Sequence, residues 1–144
     1  MAINPIVQAL GGLVIFYIGL KLFSGGMKAM GKLEHLEYFI HNPYWMFLGG
    51  IICTLAWQSS SLSTTAIIGL VASGALPLPS AIGAVLGANI GTTGTIWLAG
   101  IMVSDGMPQG ITRQIAIVHT GVNALMAISL LPLIQPIARI VGKL

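Results

Sequence analysis

Polar residues fall in a few short clusters along this chain, separated by long apolar runs. The first run, residues 6–23, is apolar except for Gln8, Tyr17 and Lys21. About 18–20 residues at a rise of ~1.5 Å cross a hydrocarbon layer of roughly 30 Å. A membrane-spanning helix over about 5–24 is therefore predicted, with Lys21 placed to reach the interface. Gly25 and Gly26 loosen the chain after it. Over 27–41, Met27, Met30, Leu33, Leu36 and Ile40 keep helical spacing, while Lys28, Lys32, Glu34 and Glu37 occupy much of the rest. That pattern predicts an amphipathic helix lying in the membrane surface. Asn42-Pro43 ends it, because a residue before proline is disfavoured in helix.

The next apolar run, Pro43–Trp57, is only about 22 Å long as a helix, short for a crossing. It stops at Gln58, and from there to Thr65 every residue except Leu62 carries a hydroxyl or an amide. A second short run, Ala66–Leu76, follows and is closed by Pro77 and Pro79. Two short arms meeting at a polar tip predict a re-entrant hairpin over 43–76, with two full crossings as the alternative. Further spans are predicted at 80–103 and 112–132, and a short interfacial helix in the tail. The expected fold is an all-α integral membrane protein with three transmembrane helices, a re-entrant helical hairpin and an interfacial amphipathic helix.

Composition agrees. Of 144 residues 56% are hydrophobic and only 6% are charged, against about 25% in soluble domains. Lipid or a partner must solvate most of the surface. The Lys and Arg residues are scattered with no basic run, which argues against a nucleic-acid partner. The lone cysteine, Cys53, excludes an internal disulfide and a multi-cysteine metal site. Lys21 is the first basic residue, so the first run is expected to be a mature helix rather than a signal peptide. Three crossings would put Lys21, Lys28, Lys32, Arg139 and Lys143 on one side and Arg113 on the other. The positive-inside rule makes the first side cytoplasmic.

The chemistry concentrates at Trp57–Thr65. Irregular backbone at membrane depth is tolerated only where it is buried in protein or lines a watery cavity. A break there frees N–H groups at the start of the second arm, and such helix ends attract anions. No charged residue lies between Glu37 and Asp105. An anion would therefore rest on neutral donors, namely the Ser59, Ser60 and Ser61 hydroxyls and backbone amides. Because a buried anion without countercharge is costly, bound cations are the natural remedy. Their oxygen ligands would be the Gln58 side-chain carbonyl, the Thr64 and Thr65 hydroxyls and main-chain carbonyls. The bland alternative is that these hydroxyls bond back to their own helix or glue helices together.

Gly83, Gly87 and Gly91 recur every fourth residue, a face that lets helices approach closely. Packing explains them, but explains Asn89, Thr92 and Thr93 less readily; these are further candidate cation ligands, with a helix break near Gly91 expected to help. His119 and Asn123 share a helical face, either as a neutral hydrogen-bonded pair or as a proton relay. Arg113 reads as an interface anchor.

These residues resemble the sodium–phosphate cotransporter family that includes the type II renal and intestinal carriers. Gln58-Ser59-Ser60-Ser61 with Thr64-Thr65 resembles its QSSS hairpin, and Gly87–Thr93 its GANIGTT signature. Arg113, His119 and Asn123 are similar to the pattern of its following helix, with altered spacing. The resemblance implies symport of sodium with inorganic phosphate through two inverted repeats whose hairpins face one site. It assigns phosphate to Ser59, Ser60 and Ser61. Sodium falls to Gln58, Thr64 and Thr65, joined by Asn89, Thr92 and Thr93, with Arg113, His119 and Asn123 as polar support. Residues 1–144 hold one such repeat, and no second QSSS or GANIGTT occurs in them. The expectation is an antiparallel homodimer, or pairing with an inverted partner chain, as a multi-pass protein of a cell membrane, the inner membrane of a prokaryote. Sodium is the coupling ion, and no other cofactor and no enzymatic activity are expected. Alternatives are another oxyanion as cargo, sodium–proton exchange, or a non-transporting assembly module.

Overall fold

A computed structural model describes residues 4–29, 37–102 and 109–143. The chain order is α1 (Pro5–Ala29), α2 (Glu37–His41), α3 (Pro43–Trp57), α4 (Ser60–Ser73), α5 (Leu78–Met102), α6 (Gln109–Leu130), a 3-10 turn (Leu131–Leu133) and α7 (Ile134–Val141). Among the described residues, three helical stretches are long and apolar enough to cross a membrane: Pro5–Gly26, Leu78–Gly100 and Gly110–Val141. Between the first two lie the shorter α3 and α4, of 15 and 14 residues.

Local chemistry sets the ends of the two short helices. The Asn42 side chain accepts from the Tyr44 N–H at 3.0 Å, and Pro43 follows in the first turn, where its missing N–H costs nothing. Ser59 caps the start of α4. Gly74, at φ 78°, ends it in the left-handed region that glycine adopts without strain, while the Ala75 and Leu76 N–H groups bond the Leu70 carbonyl.

The glycine face of α5 decides how the bundle packs. Gly83 lies against the Pro43 carbonyl, Gly87 against that of Phe47, Gly91 against Ile51 and Thr54, and Gly94 against Leu55. Gly50 of α3 answers against the Ala84 carbonyl. Both sets of numbers rise together, so α3 and α5 run parallel with their backbones in contact. The end of α3 therefore falls beside Gly94, about 24 Å along α5 from Leu78 at helical rise. At the opposite end, Ile67, Leu76, Ala81 and Ala84 form the buried core.

On another side of α5, the Trp97 indole donates to Thr120 Oγ1 at 3.0 Å, and Gly100 faces Thr112. These pairs make α6 antiparallel to α5. Helix α1 touches α4 through Phe23, which covers Gly69, and Ser24, whose hydroxyl donates to the Gly69 carbonyl at 3.1 Å. Among the described residues, none of its most apolar stretch is buried. Ile6, Leu10, Leu13, Leu22 and their neighbours would be untenable in water on this scale. They suit a bilayer, and the chain is a multi-pass membrane protein.

Two expectations change at the helix boundaries. Gly25 and Gly26 do not interrupt α1, which runs on to Ala29; in lipid, leaving the helix would expose unpaired backbone groups. Residues 27–29 thus belong to α1 rather than to a surface helix. Of that expected element only Glu37–His41 is seen as a separate helix, and 30–36 lie outside the described residues. Helix α5 is likewise unbroken at Gly91, whose open side is filled by Thr54. No cation-binding break arises there.

A polar helix break as the candidate ion site

The site begins where α3 stops. Gln58 has φ 51° and ψ 29°, and among the described residues it is the only non-glycine with positive φ. For an L-residue that conformation costs roughly 1–2 kcal/mol. Its side chain offsets part of the cost: Nε2 donates to the Leu55 carbonyl, one of the last carbonyls of α3. With the amide nitrogen so engaged, Oε1 is left as an acceptor. Gln58→Gly is accordingly expected to fold within about 1 kcal/mol of the parent, whereas Gln58→Val loses about 1–2 kcal/mol. Thermal unfolding in detergent checks both.

Ser59 follows in extended conformation, and its Oγ accepts from the Leu62 N–H at 3.2 Å. That leaves the N–H groups of Ser60 and Ser61 in the first turn, where no helical carbonyl precedes them. Ser60 is half-buried and Ser61 exposed. The break thus presents two backbone N–H donors, three serine hydroxyls and the positive end of a helix, a setting that favours negative charge. One turn further in, half-buried Thr64 and Thr65 stand four residues after Ser60 and Ser61, on the same faces.

The remaining candidates do not form one set with the tip. Asn89, Thr93 and Trp97 recur every fourth residue, and Trp97 points to α6. Asn89 and Thr93 therefore belong to the α5–α6 side, away from the glycine face that meets α3. Thr92 lies on neither stripe. Thr92 and Thr93 donate to their own helix, at the Ala88 carbonyl (2.9 Å) and the Ile90 carbonyl (2.7 Å), so only their oxygen lone pairs remain for an ion. On α6, Asn123 Nδ2 lies 3.2 Å from His119 Nδ1, a polar pair one helical turn apart. Arg113 is exposed near the start of α6.

Sequence reasoning did not single out Thr54, Ser63, Thr120 or Trp97 for a role. Thr54 donates to Ser63 at 2.7 Å in a buried contact between α3 and α4. The signal for Thr54 was its place one helical turn before Gln58, but a lone threonine in an apolar run usually bonds its own helix.

A pair of half-length helices broken at a cluster of uncharged donors, inside a set of membrane-length helices, makes this a membrane protein whose candidate site would suit a small ion. The Na+/Pi-cotransporter family matches residues 15–138. Sodium-dependent phosphate transport protein 2A of Rattus norvegicus is 35% identical over 131 residues, 86% of this chain and 20% of the relative. Sodium-dependent phosphate transport protein 2B of Homo sapiens is 31% identical over 136 residues, 90% of this chain and 20% of the relative. YqeW of Bacillus subtilis, a protein described as uncharacterized, is 34% identical over 87 residues, 58% of this chain and 28% of the relative. The chain belongs to the Na+/Pi-cotransporter family, and it spans about a fifth of the length of the two transport proteins it matches. No solved structure matches it significantly.

Proposed function

We propose that this chain is one repeat of a sodium-coupled phosphate symporter, with phosphate bound at the start of α4. The observation that carries the reading is the break at Gln58–Ser59, which leaves the Ser60 and Ser61 N–H groups without helical acceptors between two short apolar helices. Phosphate is held there by those N–H groups and the Ser59, Ser60 and Ser61 hydroxyls. Sodium takes the Gln58 Oε1 and the Thr64 and Thr65 hydroxyls. Thr92, Asn89 and Thr93 supply sodium ligands at a separate position along α5, apart from the tip, and His119, Asn123 and Arg113 give polar support there.

Helices α3 and α4, about 22 and 21 Å long, are short of the roughly 30 Å of hydrocarbon, and they form a re-entrant hairpin. The coupling follows from electrostatics. No charged side chain lies between Glu37 and Asp105, so a phosphate dianion entering alone would lose hydration without gaining countercharge. Sodium ions lower that cost, and the bound anion raises sodium affinity by the same factor. Transport, not catalysis, is the outcome of such a site. The repeat acts against a second, inverted copy, as an antiparallel dimer or with an inverted partner, in the inner membrane of a prokaryote.

Proteoliposomes holding the full chain are expected to accumulate radioactive phosphate under an inward sodium gradient. With potassium in place of sodium, uptake falls to the level of empty vesicles. Equal uptake in the two salts would overturn the coupling.

A further inference from the structure

Beneath the tip, two hydroxyls and a carbonyl form a chain. Thr54 Oγ1 donates to Ser63 Oγ at 2.7 Å, and Ser63 Oγ donates to the Ser59 carbonyl at 3.1 Å. Thr54 is 0% and Ser63 2% exposed. A threonine inside a helix has a local option, the carbonyl four residues earlier. Thr92 and Thr120 take it, bonding Ala88 and Ala116. Thr54 instead reaches across to α4. Its other side is fixed by α5, since a Cβ on Gly91 would meet Thr54 Cβ at 2.7 Å and Cγ2 at 3.2 Å. Thr54 thus stands where three helices meet, one turn before the Gln58 break.

What the chain controls is a peptide plane. The Ser59 carbonyl receives both the Ser63 N–H and the Ser63 hydroxyl, each at 3.1 Å, so its two lone pairs are engaged. In a planar trans peptide the next N–H points opposite to the carbonyl. Holding the Ser59 oxygen inward therefore aims the Ser60 N–H outward at the tip. We propose that Thr54 and Ser63 are positioning residues for the ion site: they set the Ser59–Ser60 peptide so that the Ser60 N–H meets the anion. The assignment rests on the phosphate reading of the tip. A pair serving only as glue between helices would be replaceable by apolar side chains of similar shape at little cost.

The test compares Thr54→Val, Ser63→Ala, the double variant and Thr54→Ser in the full chain. Thermal unfolding and sodium-driven phosphate uptake in proteoliposomes are measured together. Ser63→Ala strands the buried Thr54 hydroxyl, and Thr54→Val removes the donor that holds Ser63 on the Ser59 carbonyl, so in each Tm falls and KM for phosphate rises about tenfold. In the double variant neither partner is stranded, and Tm returns toward the parent while KM stays raised. Thr54→Ser keeps the donor and keeps the parent KM. Recovery of KM along with Tm in the double variant overturns the positioning role. So does an unchanged KM in every variant of a chain that transports phosphate. A parent chain that takes up no phosphate removes the phosphate reading itself, and this assignment with it. Should a single variant fail to fold, the double variant and Thr54→Ser decide the matter.

Discussion

Gly87→Val is expected to abolish the folded bundle. A Cβ at Gly87 would collide with the Phe47 carbonyl oxygen, and one at Gly83 with that of Pro43. These obstacles are backbone, which has no rotamer to yield. Relief requires α3 and α5 to move apart, and every glycine contact between them is lost together. Ordinary overpacking costs about 1–3 kcal/mol; separating two parallel helices along their length should exceed that. Since folded proteins hold only about 5–15 kcal/mol in reserve, size-exclusion chromatography should show aggregated rather than monodisperse protein. Gly12→Ala provides the contrast. Nothing among the described residues lies within 4 Å of a Cβ added at that position on α1, so the added methyl should be neutral or slightly stabilising. Equal behaviour of the two variants would mean that the glycine face of α5 does not hold the bundle.

Ser60→Ala combined with Ser61→Ala is expected to remove phosphate uptake while leaving the protein folded. Ser61 is exposed and Ser60 half-buried, both in the first turn of α4, so neither side chain is packed into the core. In the proposed bound state each hydroxyl would donate to a charged oxygen, a hydrogen bond of about 1.5–3 kcal/mol. Losing two weakens binding by about 10²- to 10⁴-fold. Ser59→Ala differs, because the Ser59 hydroxyl also accepts the Leu62 N–H; it should cost about 1 kcal/mol of stability besides affinity. Parallel measurements of Tm and of KM separate these effects.

The break itself was legible in the sequence. An apolar run that ends at Trp57 and resumes at Ala66 leaves a stretch in which every residue except Leu62 carries a hydroxyl or an amide. The glycine spacing at 83, 87 and 91 was also legible as a close-approach face, and it is what seats α3 on α5. What the pattern could not give was direction. Nothing local states that α3 lies parallel to α5, and the level of the tip beside Gly94 follows only from that pairing. The same holds for Asn89 and Thr93, which sequence grouped with the tip, but which share the stripe of Trp97 that meets α6. Gly25-Gly26 misled for a different reason. Glycine punctuates chains in water, where freed backbone groups find solvent, whereas the helix of α1 continues through the pair. Gln58 in a left-handed conformation and the Thr54–Ser63 contact are tertiary outcomes with no local signature.

The central claim is that uncharged donors at the start of α4 hold the anion with the help of sodium. Arsenate has the charge and shape of phosphate, and its arsenic can be located by anomalous scattering. Crystals of the full chain grown with sodium and arsenate should show one arsenic peak within hydrogen-bonding reach of the Ser60 and Ser61 N–H groups, and none when choline replaces sodium. Arsenic bound elsewhere in the molecule, with the Gln58–Ser61 turn packed dry against apolar side chains, would contradict the account.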